Sequence, residues 1–226
     1  MVTKDTAVFS FKMGIITALK VQKRSQDRVN VYLDDEFAFG LAYAAAANLH
    51  VGQTLSAADV AALQDVDAVE QARTSAAHFL SYRPRSQAEV QRHLQKKGYS
   101  DTAIAAAVER LTAVQLLDDE QFARYWLEQR ETFRPRGQLA LRQELQQKGL
   151  DSALIDQVLQ PIDETAVAQQ AAAKKVHQLA HLPEQEFKRK LGQYLQRRGF
   201  PYDVIRVTTD ALWTEVGVPA ARDDFE

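Results

Sequence analysis

The sequence predicts a mainly helical protein: three tandem three-helix repeats behind a small N-terminal β-hairpin/helix extension. Three observations predict it. The stretch RPRSQAEVQRHLQKKGY at 83–99 returns at 134–150 as RPRGQLALRQELQQKGL. Aligning on the glycine brings in a third copy. HLQKKGYS (93–100), ELQQKGLD (144–151) and YLQRRGFP (194–201) share Leu94, Leu145, Leu195 and Gly98, Gly149, Gly199, at offsets of 51 and 50 residues. Val90, Leu141 and Leu191 match upstream, and Ile104, Ile155 and Ile205 downstream. Apolar positions recurring at a fixed period mark a repeat architecture. Finally, strict apolar–polar alternation occurs only near the start of the chain.

Residues 1–14 hold no apolar signal core and are expected to be a flexible lead-in. Residues 15–65 form the extension. IITALKVQK and RVNVYL alternate on either side of the polar RSQD, which predicts a hairpin, and EFAFG after Asp34 and Asp35 supplies a third strand. LAYAAAANLH then reads as helix stopped by Gly52, and SAADVAALQ as a short helix capped by Ser56. Strand is expected only within 15–39, and helix from about residue 41 onward.

The first repeat spans 66–117. An amphipathic helix at 66–82 breaks at Arg83, because the residue before a proline is driven out of the helical region. Ser86 with Glu89 is a capping box for a second helix. Val90 and Leu94 share one face of it, and Gly98 ends it in the left-handed conformation. Ser100 or Asp101 caps a third helix that buries Ile104, Val108 and Leu111. The second repeat, 118–162, opens on Asp118 and Gln121 at cap spacing. It repeats the Arg-Pro break, a second helix at 137–148 and a third at 152–160. The third repeat, 163–218, lacks Arg-Pro-Arg, and Pro183 opens its second helix two positions early. Residues 219–226 form an acidic tail.

The chain has 226 residues, of which 46% are hydrophobic and 26% charged, enough to bury a core and too apolar for global disorder. It has no cysteine, which excludes a disulfide scaffold, a zinc–thiolate site and a thiol nucleophile and agrees with a reducing cytoplasm. The longest nearly apolar run, FAFGLAYAAAANL, is too short to span a bilayer. A soluble cytoplasmic protein without a membrane partner is expected.

The formal net charge is only −2, but the cations are not evenly spread. Three windows ending at the shared glycines (83–98, 134–149, 184–199) hold fourteen of the 28 Lys and Arg against four Asp and Glu. They are Arg83, Arg85, Arg92, Lys96, Lys97, Arg134, Arg136, Arg142, Lys148, Lys188, Arg189, Lys190, Arg197 and Arg198. Stacked repeats would align these helices into a basic stripe suited to a polyanion. For any single cation the plainer reading is better: Lys97, Lys148 and Arg198 sit in a last helical turn, where positive charge complements the helix dipole. Threefold segregation of one sign favours binding, since solvation does not require it.

Catalytic chemistry finds no constellation. His177 and His181 stand four apart, the spacing of a metal pair, but no acidic ligand or HExxH pattern accompanies them. Asp118, Asp119 and Glu120 suit a helix start. No glycine-rich phosphate loop exists, so a non-enzyme without cofactor or metal is expected. Phe122, Tyr125, Trp126 and Trp213 have the helical spacing of core residues rather than of base-stacking platforms.

The stretch LLDDEQFARYWLEQRETFRPRGQLALRQELQQKGL at 116–150 resembles the signature of the RecX family, bacterial regulators of the RecA recombinase. RPRSQAEVQRHLQKKGY resembles that family's first repeat, and ITALKVQKRSQDRVNVYLDDEFAFGL the hairpin extension of its longer members. The resemblance covers about residues 15–216 and implies an elongated, curved array that lodges in the groove of the RecA–DNA filament. It implies restraint of ATP hydrolysis, strand exchange and co-protease activity, and in some settings filament disassembly. The expected partners are the RecA filament and single-stranded DNA, with double-stranded DNA second, and the expected state is a monomer. The loss of Arg-Pro-Arg leaves the third repeat's share in the contact open. Two other classes compete. A helix-turn-helix transcription regulator fits the outline of QKKGYSDTAIAAAVERL, but the helix after the glycine offers only Arg110 in repeat one and no cation in repeat two. A scaffold that binds protein alone would show no salt-dependent DNA binding.

Overall fold

A computed structural model of the chain describes residues 13–23 and 25–217; residues 1–12 of the expected 1–14 lead-in and the acidic tail lie outside the described residues, and Gly14 already belongs to the first strand. The chain forms two compact units. One holds residues up to Tyr82 with Val90–Leu116, the other Arg83–Glu89 with residues from Leu117 onward. The described residues are mainly helical, with a small sheet at the start.

The first unit opens with β1 (Gly14–Gln22), β2 (Ser25–Leu33), β3 (Glu36–Ala42) and β4 (Thr54–Leu55), an antiparallel sheet of order β3-β2-β1-β4. Asp34 and Asp35 join β2 to β3 with φ of 49° and 69°. Positive φ at both central residues gives the turn whose twist matches a two-residue hairpin. Ile16, Val29, Val31, Leu33, Phe39 and Leu41 alternate inward and pack with Leu55 and Val60.

Three expectations for this region need correction. Strand is not confined to 15–39: β3 runs to Ala42, and β4 adds two residues that pair with Gly14 and Ile15. Two residues are too few to show an alternating pattern. The helix expected from residue 41 shrinks to α1 (Tyr43–Ala46), because Leu41 and Ala42 are paired with Val29 and Arg28. The two helices expected around 57–64 and 66–82 are one, α2 (Ala57–Leu80), started by the Ser56–Asp59 capping box. No glycine or proline interrupts that run. Inside α2, Asp67 is 4% exposed and accepts from Arg28 Nη2 at 2.8 Å, Ala42 N at 2.8 Å and Gln71 Nε2 at 2.5 Å. This buried carboxylate ties α2 to the sheet, and its three donors meet the desolvation cost of burying charge. α4 (Asp101–Ala113), capped by Ser100, packs along α2 through Ile104, Ala107 and Leu111.

The second unit contains α5 (Asp119–Phe133), α6 (Gln138–Gln147), α7 (Ser152–Leu159), α8 (Glu164–Leu179), α9 (Glu184–Gln196) and α10 (Tyr202–Gly217). Asp118, Asp151 and Asp163 cap α5, α7 and α8 with their side chains, the role predicted for Asp118. α5–α7 enclose Phe122, Leu141, Leu145 and Ile155. α8–α10 enclose Phe187, Leu191, Leu195, Ile205 and Leu212, with Trp213 against Phe187 at 5.2 Å between ring centroids. α9 starts after Pro183, as its sequence indicates.

Segment 83–89, which opens α3 (Gln87–Lys96), packs in this unit by a rule used twice. Ser86 caps α3 through Glu89, and its Oγ donates to the Lys148 carbonyl at 2.6 Å. Gln87 N donates to Asp119 Oδ1 at 2.8 Å. One repeat on, Gly137 N donates to the Arg198 carbonyl at 3.0 Å and Gln138 N to Glu164 Oε1 at 2.8 Å. The start of a second helix is thus held by the carbonyl just before the next glycine and by the first acid of the next first helix. Where Ser86 reaches with a hydroxyl, Gly137 uses its backbone, and a Cβ there would overlap the Gly199 carbonyl.

Gly98, Gly149 and Gly199 have φ of 86°, 85° and 82°, the predicted left-handed turn. Their surroundings differ. A Cβ on Gly98 meets nothing within 4 Å, whereas one on Gly149 would strike Ala88 and one on Gly199 would strike Ala140. Gly98→Ala should therefore cost only the left-handed strain, about 1–2 kcal/mol. Gly149→Ala and Gly199→Ala should each cost about 3 kcal/mol or more, since overlap adds to strain. Urea unfolding of the three variants checks this; equal losses would show that the helix starts do not close on these turns.

Candidate nucleic-acid interface

The fourteen cations predicted as a basic stripe fall into two groups. Seven of the fourteen are held by carboxylates. Arg83 and Lys148 both reach Glu89 Oε1, at 3.0 and 2.9 Å. Burial pushes the Glu89 carboxyl up, but the hydrogen bonds from Arg83 and Lys148 outweigh it and leave the group below its ordinary value. Arg136 and Arg130 share Glu144 at 2.9 and 2.7 Å, and Arg142 meets Asp156 at 2.5 Å. Lys188 lies between Glu184 at 2.6 Å and Asp210 at 2.7 Å. Lys190 and Arg189 face Glu186 at 2.9 and 3.8 Å. Arg198 donates to the Pro135 carbonyl at 3.2 Å and lies 4.5 Å from the Tyr194 ring centre. Arg85 is half-buried, and burial, followed by the nearby Arg83 charge, pulls its guanidinium below the usual range.

The second group is exposed: Arg92, Lys96 and Lys97 on or just after α3, Arg134 after α5, and Arg197 at the end of α9. Lys96, Lys97, Arg134 and Arg197 have no ion-pair partner among the described residues. These four cations are available to phosphate, and the ion-paired ones are committed to the fold. All four acids inside the three basic windows, Glu89, Glu144, Glu184 and Glu186, are used to hold cations.

The aromatics sort as predicted in part. Phe122 is buried at 1% exposure. Trp126 is half-buried; its Nε1 donates to Glu144 at 2.8 Å, and Arg130 and Lys148 lie 4.4 and 4.7 Å from its ring centre. Those cations already occupy the face a base would need. The exposed aromatics were not singled out from sequence. Tyr82, Phe133 and Tyr202 are 71%, 72% and 79% exposed. A signal existed for two of them, since Tyr82 and Phe133 each precede Arg-Pro-Arg. Arg110, the lone cation on a would-be recognition helix, faces Glu70 at 3.8 Å, so α4 presents no base-reading set. His177 and His181 are exposed, and no group of three metal-ligating side chains occurs among the described residues. No helix among the described residues is long and apolar enough to cross a membrane.

Models of the RecX N-terminal domain and of the first, second and third RecX three-helix domains match residues 14–56, 72–111, 118–159 and 162–207. Regulatory protein RecX of Bacillus licheniformis is 35% identical over 219 residues, 95% of this chain and 83% of that protein. The chain belongs to the RecX family. Regulatory protein RecX of Bacillus subtilis is 32% identical over 205 residues, covering 88% of this chain and 78% of its own. That of Chlorobaculum tepidum is 36% identical over 149 residues, 66% of this chain and 91% of its own. A crystal structure of regulatory protein RecX superposes with a TM-score of 0.73 at 25% identity, covering 87% of this chain and 99% of that one. RecX from Lactobacillus salivarius, at 21% identity and a TM-score of 0.60, covers 68% of this chain and 99% of its own and supports the fold. The family that the sequence resembles is the family found, and its members are regulators by name.

The two acids that hold helix starts share an electrostatic property. Burial raises both the Asp119 and the Glu164 carboxyl above their ordinary values, against the lowering effect of the N–H groups of Gln87 and Gln138. An acid with a raised folded-state value binds more protons folded than unfolded, so stability falls as pH rises past the ordinary carboxylate range. Glu164→Gln keeps the acceptor and removes the buried charge. Its urea midpoint at neutral pH should equal or exceed that of the parent, with that pH-dependent fall reduced. Glu164→Ala should lose about 1 kcal/mol. A lower midpoint for the glutamine variant would show that the start of α6 needs a full negative charge.

Proposed function

We propose that this chain is a regulator of the RecA recombinase, mainly a negative one. It binds the RecA–DNA filament groove through its exposed helix-end cations and restrains ATP hydrolysis, strand exchange and co-protease activity, and through them DNA repair. The observation that carries the reading is membership of a regulatory family across the N-terminal domain and all three three-helix domains. DNA contact is supported by Lys96, Lys97, Arg134 and Arg197, which recur at helix ends and have no ion-pair partner among the described residues. Each contact is weak, and a series of them on one chain gains through effective concentration. The chain works as a cytoplasmic monomer without cofactor or catalytic residue. It restrains the filament by binding one filament state better than another.

RecA-dependent ATP hydrolysis on single-stranded DNA tests this directly. Purified protein should lower hydrolysis in a dose-dependent way, and no effect over a wide concentration range would sink the proposal. Charge reversal separates phosphate contact from stacking alone. Lys96→Glu with Lys97→Glu, and separately Arg134→Glu with Arg197→Glu, should weaken inhibition and single-strand binding with thermal unfolding unchanged. The log–log salt slope should become shallower by roughly 0.7 per lost phosphate contact. Reversal of Arg136 and Arg142 is a poorer test, because it breaks the pairs with Glu144 and Asp156.

A further inference from the structure

α9 and α10 leave a groove of about 700 Å³ on the third repeat, within the size range of ligand pockets. Its walls are two helix stripes, with Leu139 of α6 at its edge. Arg189, Gln193 and Gln196 stand at i, i+4 and i+7 on α9; Tyr202 and Arg206 stand at i and i+4 on α10. Residues at those spacings share a helix face. Tyr202 is 79% exposed, so nothing in the described structure covers its ring. Arg206 is exposed and has no ion-pair partner among the described residues, and Arg189 has only the distant Glu186 at 3.8 Å. Asp210 also lines the groove, with its charge met by Lys188 at 2.7 Å. Gly192 and Gly199 leave stretches of the wall without side chains.

Solvated helix faces need cations and amides, but they do not need an open aromatic ring lining the same groove as two guanidinium groups. A ring for stacking, two cations for phosphate and two amides for base edges are the chemistry of unstacked nucleotides. Double-stranded DNA offers no free base face to a tyrosine. We propose that this groove binds single-stranded DNA, with a base stacked on Tyr202 and the adjoining phosphates on Arg189 and Arg206. None of the fourteen stripe residues supplies the ring, and Arg206 lies outside the basic windows. The site gives the third repeat, which lacks Arg-Pro-Arg, its own hold on DNA. It deepens the proposed function and rests on its DNA-binding half.

The test uses the full chain and a fluorescein-labelled oligo(dT) strand, without RecA, read by anisotropy. Tyr202→Ala should weaken binding about tenfold, the loss of one stacked base. Tyr202→Trp should restore it, and Tyr202→Leu, apolar without a π face, should not. Arg206→Gln should make the log–log salt slope shallower by roughly 0.7. Every substitution is on exposed side chains, and thermal unfolding confirms the fold. Unchanged affinity in Tyr202→Ala, or rescue by leucine, overturns the proposal. So does a Tyr202→Ala protein that binds oligo(dT) normally but no longer inhibits RecA, since the groove then takes protein. If RecA hydrolysis is unaffected by the parent while the tyrosine series behaves as stated, the groove stands and the recombinase reading falls alone.

Discussion

Each helix in this chain has an end with unmet hydrogen-bonding groups, and the second unit is organised by joining such ends. The first N–H groups of a helix have no partner within it, and the last carbonyls are equally bare. The start of α6 is positive by its dipole, and the end of α9 is negative. Gly137 N meets the Arg198 carbonyl, and the Glu164 carboxylate takes the next N–H. Segment 86–89 repeats the arrangement with Lys148 and Asp119. Both joints need a glycine without a Cβ at the contact, opposite Ala88 or Ala140. In each joint the carbonyl that is used belongs to the residue just before the glycine, Lys148 or Arg198, so the turn at the glycine sets where that carbonyl points.

That constraint explains where the cations go. Lys148 and Arg198 precede their glycines and reach back, to Glu89 and to the Pro135 carbonyl. They are part of the joint. Glu144 is buried enough to need more than one donor, and Arg130, Arg136 and the Trp126 indole supply three. Such partly buried pairs hold geometry more than they add net stability, because desolvation offsets most of the attraction. A cation spent in this way is a poor candidate for phosphate. The excess of positive charge seen in the sequence is therefore larger than the excess offered to a ligand.

Much of the fold was legible because its signals are local. Proline after Arg83 and Arg134, the Ser86–Glu89 box and the glycine turns are each written within a few residues. The joints were not legible, since Ser86 to Lys148 spans 62 residues and no pattern reports which carbonyl a hydroxyl will find. β4 was missed for the same reason: its two residues owe their conformation to Gly14 and Ile15. Continuity of α2 was not legible because nothing local shows that the two helical stretches join, and Asp67, on the joined helix, is a buried anchor for Arg28 only through the fold. At the candidate site, sequence identified which residues are basic but not which are already paired. Tyr202 escaped notice because one aromatic at a helix start looks the same whether it packs or points outward.

The repeated basic stretch thus carries two functions at adjacent positions. Before each glycine stand two residues: Lys96 and Lys97, Gln147 and Lys148, Arg197 and Arg198. Successive helical residues point about 100° apart, so the pair cannot face the same way. Lys148 and Arg198, second in their pairs, turn into the joint; Gln147 and Arg197, first in theirs, remain exposed. Gly98 has open space where Gly149 and Gly199 have an alanine, and there both Lys96 and Lys97 stay exposed. Helix joining selects a cation at the second position wherever a neighbouring helix start must be met. It makes no demand on the first position, nor on Lys97. The helix dipole favours positive charge at Lys96, Lys97 and Arg197 but does not require a side chain left free of carboxylates, and positive charge kept there is what an anionic partner would select.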